Sequence, residues 1–388
     1  MSTHPRVTLN NPSLLHWART SAGLSADDVA ARLGTTPGAI LRWEDGDAAP
    51  TFHQLEAFAQ AVSRSVAVLY LPEPPTEPAA PRDFRRVRGE RRGVFSPRTL
   101  LCFRQLRNAL DEMRELVPLL GAGVRGDLPY VDREQTSATE AARLARELLG
   151  IPLERQLAWR TKYEALDEWR SALFDHGVLV QQFPLDLDEA RGFSIYDGEL
   201  AGIGVSSKDV VVARIFSIFH EVGHLLLREP GVSGSEPVSS EATDAEARVE
   251  RYCNTFAAEF VLPGEAPEVQ RALRDLAADL SYQGASRVAR RFWVSKYTLA
   301  LTALHAGVIS RADHDGATEE WSHRDERLQR LRGQGGPDQP RRVVSRHGKR
   351  FTELVLEAVD RAVVGEIEAT RMLGVRSATL EGARAALA

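Results

Sequence analysis

The sequence predicts a mainly helical protein with a small β-sheet, the α+β class, and three observations support this. Residues 11–61 divide into short helical stretches that are separated by capping residues and turns. Three short apolar stretches, at residues 177–183, 192–196 and 201–206, have the length and flanking glycines of β-strands. Residues 213–227 are apolar on most sides, as expected of a buried helix. We therefore expect an N-terminal helical bundle and a larger helical domain that includes a short sheet.

The N-terminal stretch contains four predicted helices, each with a recognisable start. Their first residues or N-caps are Pro12, Ser25, Thr36 and Thr51. Hydroxyl side chains at these positions accept hydrogen bonds from backbone N–H groups that the helix leaves unpaired. Gly34 supplies the turn between the second and third helices. The pattern from Gly23 to Gly46 resembles the helix-turn-helix domain of the XRE (lambda-repressor-like) regulators, which implies a five-helix-type bundle.

This resemblance implies that the domain binds double-stranded DNA through its third helix. The positions that would face the groove are Thr36, Pro37, Gly38 and Arg42. Few of these side chains can make bidentate contacts with base edges. Residues 11–64 carry four arginines and six carboxylates, a net charge of 4 − 6 = −2, whereas phosphate binding requires cations. The alternative is a domain that docks a protein partner, such as a related repressor.

The three predicted strands form a small sheet beside the buried helix. The connection between the second and third strands begins with Asp197-Gly198, which indicates a β-hairpin turn. We expect the strand at residues 201–206 to lie at an edge of the sheet, where it would pair with an extended peptide substrate by β-augmentation.

The predicted helix at residues 213–227 contains the motif H-E-x-x-H, formed by His220, Glu221 and His224. Histidines four residues apart lie one turn apart on the same helical face. Both imidazoles can therefore reach one Zn²⁺, and Glu221 beside them can act as a base. A buried pair of imidazoles with a carboxylate is costly without a partner, and a metal supplies one. The other interpretation is a hydrogen-bonded structural histidine pair.

A zinc ion held by two histidines needs a third protein ligand. After a Gly/Ser-rich loop at residues 231–240, an acidic segment begins a second helix that ends at Pro263-Gly264. Glu250 on this helix is the favoured ligand, and Glu246, one turn earlier, is its rival. Cys253 could also bind as a thiolate, but a single cysteine among apolar neighbours is more often a small core residue.

Both helices together resemble the ImmA/IrrE metallopeptidases. The first reads R-I-F-S-I-F-H-E-V-G-H-L-L-L from Arg214, and the second reads E-R-Y-C-N-T-F-A-A-E-F-V-L-P from Glu250. The resemblance implies a zincin-like metallopeptidase domain with His220, His224 and Glu250 as zinc ligands and Glu221 as the catalytic base. Cys253 stands where the family usually has alanine.

The resemblance also implies a biological role, that of a zinc endopeptidase that regulates transcription. Its protein substrate would be a repressor or another helix-turn-helix protein, cut to switch genes on under stress or in mobile-element control. Two alternatives remain open at this point. One is a DNA-binding regulator whose zinc domain senses metal or binds a partner without proteolysis, and the other is a toxin–antitoxin or phage-linked interaction protein.

The domain order follows from composition shifts along the chain. We predict a helix-turn-helix domain at residues 1–72, a Pro/Arg-rich linker at 73–98 that includes the basic run 82–92, and a helical connector at 99–150. The metallopeptidase domain follows at 151–315. The last two predicted parts, a charged Gly/Pro/Gln-rich linker and a helical C-terminal appendix, span residues 316–345 and 346–388.

Overall composition favours a cytoplasmic protein with no membrane segment. The net charge of −5 argues against a generally basic nucleic-acid binder. Two cysteines in 388 residues provide no disulfide framework and suit a reducing compartment. No apolar run approaches the roughly 18 residues that span a bilayer, and the first residues lack the apolar core of a secretion signal.

Overall fold

The structure is a computed structural model, which describes residues 5–75, 82–83, 95–229, 231–233, 244–331 and 339–387. The chain forms two compact units, the first from residues 1–80 and 91–108 and the second from residues 81–90 and 109–388. Most of the basic run at 82–92, and residues 234–240 of the predicted Gly/Ser-rich loop, lie outside the described residues. The fold is mainly helical with one small sheet, as the sequence predicts.

The first unit is a helix-turn-helix bundle. It contains α1 (Ser13–Ser21), α2 (Ala26–Leu33), α3 (Pro37–Glu44) and α4 (Phe52–Ala61), followed by a 3-10 helix (Val66–Tyr70). The hydroxyl caps are confirmed, because the side chains of Ser25, Thr36 and Thr51 each accept a hydrogen bond from the backbone N–H three residues later. Gly34 adopts φ +64° at the end of α2, a conformation that glycine favours.

A buried ion pair joins α1 to α3 in this bundle. Arg19 Nε donates to Glu44 Oε1 over 2.6 Å, and Arg19 Nη2 donates to Glu44 Oε2 over 2.8 Å. The two-pronged geometry suits a guanidinium and a carboxylate. Removing either partner would leave a charge buried in the core formed by residues such as Ile40 and Phe58. The pair therefore fixes the angle at which α3 lies on the bundle.

Helices precede the sheet of the second unit. They are α5 (Pro97–Leu120), whose residues 109–120 belong to this unit, α6 (Ala138–Leu149), α7 (Leu153–Ala158) and α8 (Lys162–Asp175). Ser137 caps α6, and Gly150 ends it with φ +63°. The short α7 was not predicted, since six residues are too few for a clear helical period.

The sheet contains β1 (Arg82–Asp83), β2 (Val178–Phe183), β3 (Gly192–Asp197), β4 (Leu200–Ser206) and β5 (Gly231–Ser233), in the order β1-β5-β3-β4-β2. The hairpin prediction is confirmed, since β3 and β4 are antiparallel and Asp197 pairs with Leu200. The prediction that residues 201–206 form an edge is wrong. Strand β4 pairs with β3 on one side and lies parallel to β2 on the other, so its backbone is not available for β-augmentation.

Helix α9 (Val211–Leu226) packs on the sheet, and helix α10 (Asp244–Val261) packs on α9. Aromatic rings join them to α8. Phe219 and Phe260 stack with ring centroids 3.9 Å apart, and Trp169 lies edge-on to Phe219 with centroids 5.0 Å apart. These rings belong to the main apolar core of the unit, so the relative position of α9 and α10 is set by dense packing.

Helices α11 (Pro267–Ala278), α12 (Tyr282–Phe292) and α13 (Lys296–His305) continue the unit. The prediction of a loop or linker at residues 316–345 is wrong for most of that range. Residues Arg311–Leu331 form helix α14, and Gln339–His347 form helix α15. Composition suggested a linker because of the charged residues. The helix forms because Trp321 is fully buried against Tyr297, and charged side chains are good helix formers on an exposed face.

The predicted C-terminal appendix is a helical group built from α15 together with α16 (Lys349–Asp360), α17 (Glu366–Met372) and α18 (Ser377–Leu387). Arg170 of α8, which is buried, joins it to the sheet. Its guanidinium donates to Val180 O of β2 over 2.7 Å and to Ser345 O of α15 over 2.8 Å. The carbonyl ends of a helix carry partial negative charge, which compensates this buried cation.

Glu112 of α5 makes stability in this unit depend on pH. Burial raises the pKa of Glu112 to about 7, against the lowering effect of Arg371. An acid whose pKa is raised on folding binds its proton more tightly in the folded state, so stability falls as pH rises from about 4.5 to about 7. We expect Glu112→Gln to reduce this fall, measured as the change in thermal midpoint between pH 5 and pH 8. The exposed Glu320→Gln is the control, and an equal pH dependence in both variants would contradict the assignment.

Candidate metal centre

A glycine allows α9 and α10 to approach closely. Gly223, within the H-E-V-G-H sequence, faces Cys253 of α10, and a Cβ on Gly223 would lie 3.2 Å from Cys253 Sγ and Cα. Any larger residue would push the helices apart. The close approach brings Glu250, one turn before Cys253, opposite the two histidines of α9.

His220, His224 and Glu250 converge in the structure. Their ligand atoms all lie within 4.8 Å of one another. The two histidine Nε2 atoms are 3.1 Å apart, His224 Nε2 is 3.1 Å from Glu250 Oε1, and His220 Nε2 is 3.5 Å from Glu250 Oε2. A tetrahedral zinc with bonds of about 2.0–2.1 Å separates its ligand atoms by roughly 3.4 Å. The donor set and its spacing therefore fit a zinc ion.

The electrostatics of this cluster keep Glu250 ionised. Burial alone would raise the pKa of Glu250, but the hydrogen bonds and charges of His220 and His224 outweigh it and hold the pKa well below its ordinary value. Burial likewise opposes the charged form of His220, yet Glu250 raises the pKa of that imidazole overall. A metal ion at this position therefore meets a carboxylate that is already charged.

Asn254 orients His220. The Nδ1 atom of His220 lies 3.0 Å from Asn254 Oδ1, so an Nδ1–H donates to the amide oxygen. This bond fixes the tautomer in which Nε2, turned towards His224 and Glu250, carries the free lone pair. Asn254 was not singled out from the sequence, although its spacing, four residues after Glu250, places both on one helical face.

Glu221 is fully buried and does not belong to the three-residue cluster. Its carboxylate lies against strand β3, where Ser194 Oγ donates to Glu221 Oε2 over 2.7 Å. Ser194 was not singled out from the sequence, because it is one polar residue in an otherwise apolar strand. Such a position indicates a buried hydrogen bond, but not its partner.

The two rival ligands are not in the cluster. Among the described residues, the group that can hold a metal contains Glu250 and neither Glu246 nor Cys253. Cys253 is fully buried, and burial together with the charges of Glu250 and Glu221 raises the pKa of its thiol well above the ordinary value. A neutral thiol is a poor metal ligand. Cys253 therefore acts as a small core residue that packs against Gly223.

Comparison with protein families agrees with this geometry. Residues 174–303 match the peptidase M78 family model, described as the IrrE N-terminal-like domain, and residues 13–69 match a helix-turn-helix domain. The chain joins a helix-turn-helix domain to an IrrE N-terminal-like, metallopeptidase-like domain. No curated protein matches the chain significantly. None of the helices in the described ranges is both long and apolar enough to cross a membrane.

The candidate DNA contacts of the helix-turn-helix domain lie at the N-cap of α3 and along this helix. Thr36, Gly38 and Arg42 are exposed, and Pro37 is half-buried. Arg42 is on the face of α3 opposite the buried Ile40 and Trp43. Other arginines of the domain are engaged internally. Arg32 donates to Ala61 O over 2.7 Å, and Arg64 stacks on the Trp17 ring with its guanidinium carbon 3.8 Å from the ring centroid.

Helices α12 and α13 pack against each other as a helix pair. Helix α13 is in contact with α11, α12 and α14. Lys296 at its start donates to Asp325 of α14 over 2.6 Å, and Tyr297 donates to the same carboxylate over 2.9 Å. The first turn of α13 is therefore occupied by protein contacts, as expected of a structural element.

Proposed function

We propose that the protein is a zinc-dependent endopeptidase which regulates transcription by cleaving a repressor or a related helix-turn-helix protein. The observation that carries this proposal is the convergence of His220, His224 and Glu250 beside the buried carboxylate of Glu221. Structural zinc sites use four protein ligands, whereas catalytic sites use three and leave one position open. A set of three ligands with an adjacent glutamate favours catalysis.

Each residue of the site has a distinct part in the proposed reaction. His220, His224 and Glu250 hold the metal, and Asn254 keeps Nε2 of His220 turned towards it. When bound, zinc acidifies water and polarises a carbonyl group. Glu221 accepts the proton of the attacking water and passes it to the amine that leaves. This role requires a carboxylate at a fixed position, and the hydrogen bond from Ser194 of β3 restrains it there.

A protein substrate is supported by the joining of the two domains in one chain. A helix-turn-helix domain brings the peptidase to a promoter or to a regulatory protein, so the nearest substrates are transcription factors. The two cysteines, Cys102 and Cys253, are buried and form no disulfide, which suits the reducing cytoplasm in which such substrates occur.

The experiment that tests the proposal compares cells that produce the wild-type chain with cells that produce Glu221→Gln. New protein N-termini are measured by mass spectrometry. We expect termini in a helix-turn-helix protein that appear only with the wild-type chain. Identical termini in both, with the purified chain loaded with zinc, would instead favour a regulator that binds metal or a partner without proteolysis.

We propose in addition that the N-terminal domain binds double-stranded DNA through Thr36, Pro37, Gly38 and Arg42. Arg42 is the cation among them, so Arg42→Ala is expected to weaken binding to duplex DNA. The number of counterions released on binding, obtained from the salt dependence of the affinity, is expected to fall by about one. Fluorescence anisotropy with labelled genomic fragments at two salt concentrations measures both. Unchanged affinity and salt dependence would contradict a phosphate or base contact at Arg42.

A further inference from the structure

Glu221 rests in a recess that strand β3 forms. Ser194 Oγ donates to Glu221 Oε2 over 2.7 Å. Gly192 is two residues earlier and therefore on the same face of the strand, and a Cβ there would lie 3.0 Å from Glu221 Oε1 and 3.3 Å from Cγ. One carboxylate oxygen thus accepts a hydrogen bond from the Ser194 hydroxyl group. The other occupies the space that a side chain at residue 192 would fill. We call Gly192 and Ser194 together the β3 cradle.

The register of the hairpin holds the β3 cradle in place. Phe193 lies between the two cradle residues and points to the opposite face. It pairs with Gly204 of β4, and a Cβ on Gly204 would lie 2.3 Å from the Phe193 ring. A slip of one residue would place Phe193 on the face of the cradle and turn Ser194 away from it. The large ring over a glycine therefore prevents the slip that would release Glu221.

The contact between Ser194 and Glu221 also offsets two free-energy costs of placing a glutamate at this site. A glutamate on a helix can adopt several rotamers, and fixing one of them costs conformational entropy. A buried carboxylate is moreover costly unless it accepts hydrogen bonds. The Ser194 hydroxyl supplies such a bond and fixes the carboxylate plane at once. The metal ligands are on α9 and α10, so this restraint comes from a different element.

We propose that the β3 cradle positions Glu221 for proton transfer. Ser194 is the positioning residue, and Gly192, which has no side chain, leaves space for the carboxylate of Glu221. The inference rests on the proposed function, because Glu221 transfers a proton only if the site hydrolyses peptides. Ser194 acts through Glu221. Displacing a reacting group by about 1 Å can cost roughly 100-fold in rate.

Kinetics of the zinc-loaded full chain on a proteome-derived peptide library test the proposal. Ser194→Ala is expected to lower kcat by about 10- to 100-fold, with KM and zinc content unchanged. Ser194→Thr keeps the hydroxyl and is expected to recover most of the rate. Gly192→Ala is a second, independent variant that places a methyl group against Oε1 and is expected to lower kcat with zinc retained.

The matched control is Ser206→Ala. Ser206 is a fully buried serine of the same sheet, on β4, and its Oγ donates to Leu185 O over 2.9 Å. Removing the Ser206 hydroxyl group also breaks a buried hydrogen bond, but it leaves the contacts of Glu221 intact. We therefore expect kcat to stay at the wild-type value. If Ser194→Ala has the same kcat as Ser206→Ala, the proposal is overturned.

A measurement without catalysis separates this proposal from the proposed function. Urea unfolding of Ser194→Ala, Glu221→Ala and the double variant forms a cycle that measures their coupling. We expect non-additive effects, since each of the two substitutions removes the same contact, whereas Ser206→Ala and Glu221→Ala should be additive. If the wild-type chain cleaves no peptide, the proposed function fails and the cycle alone decides whether the cradle holds Glu221. Additive effects of Ser194→Ala and Glu221→Ala would overturn the cradle.

Discussion

Glu221→Gln is expected to lower peptide hydrolysis by at least about 100-fold while zinc content stays at the wild-type value. The amide has nearly the shape of the carboxylate, and its oxygen can still accept the Ser194 hydroxyl group. It cannot accept a proton from water, and a positioned base contributes about 10²–10⁴ in rate. Cleavage of the peptide library and metal analysis of the same preparation measure the two quantities together.

The control for this variant is Glu229→Gln, which changes a carboxylate just beyond α9 that pairs with Arg133 at 3.2 Å. It alters the local charge by the same amount without removing the proposed base, so activity near the wild-type rate is expected. A zinc-replete Glu221→Gln protein with wild-type activity would exclude Glu221 as the base. Loss of zinc in that variant would show that Glu221 contributes to the metal site itself.

Helix positions were predictable from the sequence because their determinants are local. The caps Ser25, Thr36 and Thr51 act within one turn of the residues that specify them. The spacing of His220 and His224 likewise determines that both face the same side. Glu250 required more than spacing, and the resemblance of the second helix to a known family favoured it over Glu246.

Sheet order was not predictable in the same way, because it depends on contacts between distant residues. The hairpin of β3 and β4 was found through its turn, but the parallel pairing of β4 with β2 has no signal in either strand. The expectation of a free edge at β4 failed for this reason. The contact of Ser194 with Glu221 also joins residues 27 positions apart and depends on the register of β3.

At residues 316–345 the charged composition predicts a linker, whereas the structure has helices over most of this range. In helix α14 one buried residue, Trp321, outweighs that signal by packing against Tyr297 and donating to Leu280 O over 3.2 Å. Aromatic side chains bury more apolar surface than most others. Trp321 is therefore the residue in this charged segment that indicates a surface helix packed on the domain.

Glu250→Ala is expected to weaken zinc binding by more than the roughly 10- to 100-fold that loss of an outer partner of a ligand costs. The substitution removes one of three ligands and the charge that His220 and His224 face. Zinc that binds only the folded state raises the thermal midpoint. The wild-type chain should therefore show a rise on adding zinc, and Glu250→Ala should show little or none.

Two control variants on α10 distinguish the loss of a zinc ligand from the loss of a nearby polar side chain. Glu246→Ala removes the carboxylate one turn earlier and is expected to keep both zinc content and the thermal shift. Asn254→Ala removes the partner of His220 Nδ1 and is expected to give intermediate affinity, because the imidazole remains but loses its fixed tautomer. Full zinc content in Glu250→Ala together with loss of zinc in Glu246→Ala would move the third ligand to Glu246. Loss in neither variant would leave the two histidines as the whole protein contribution, too few for the site proposed here.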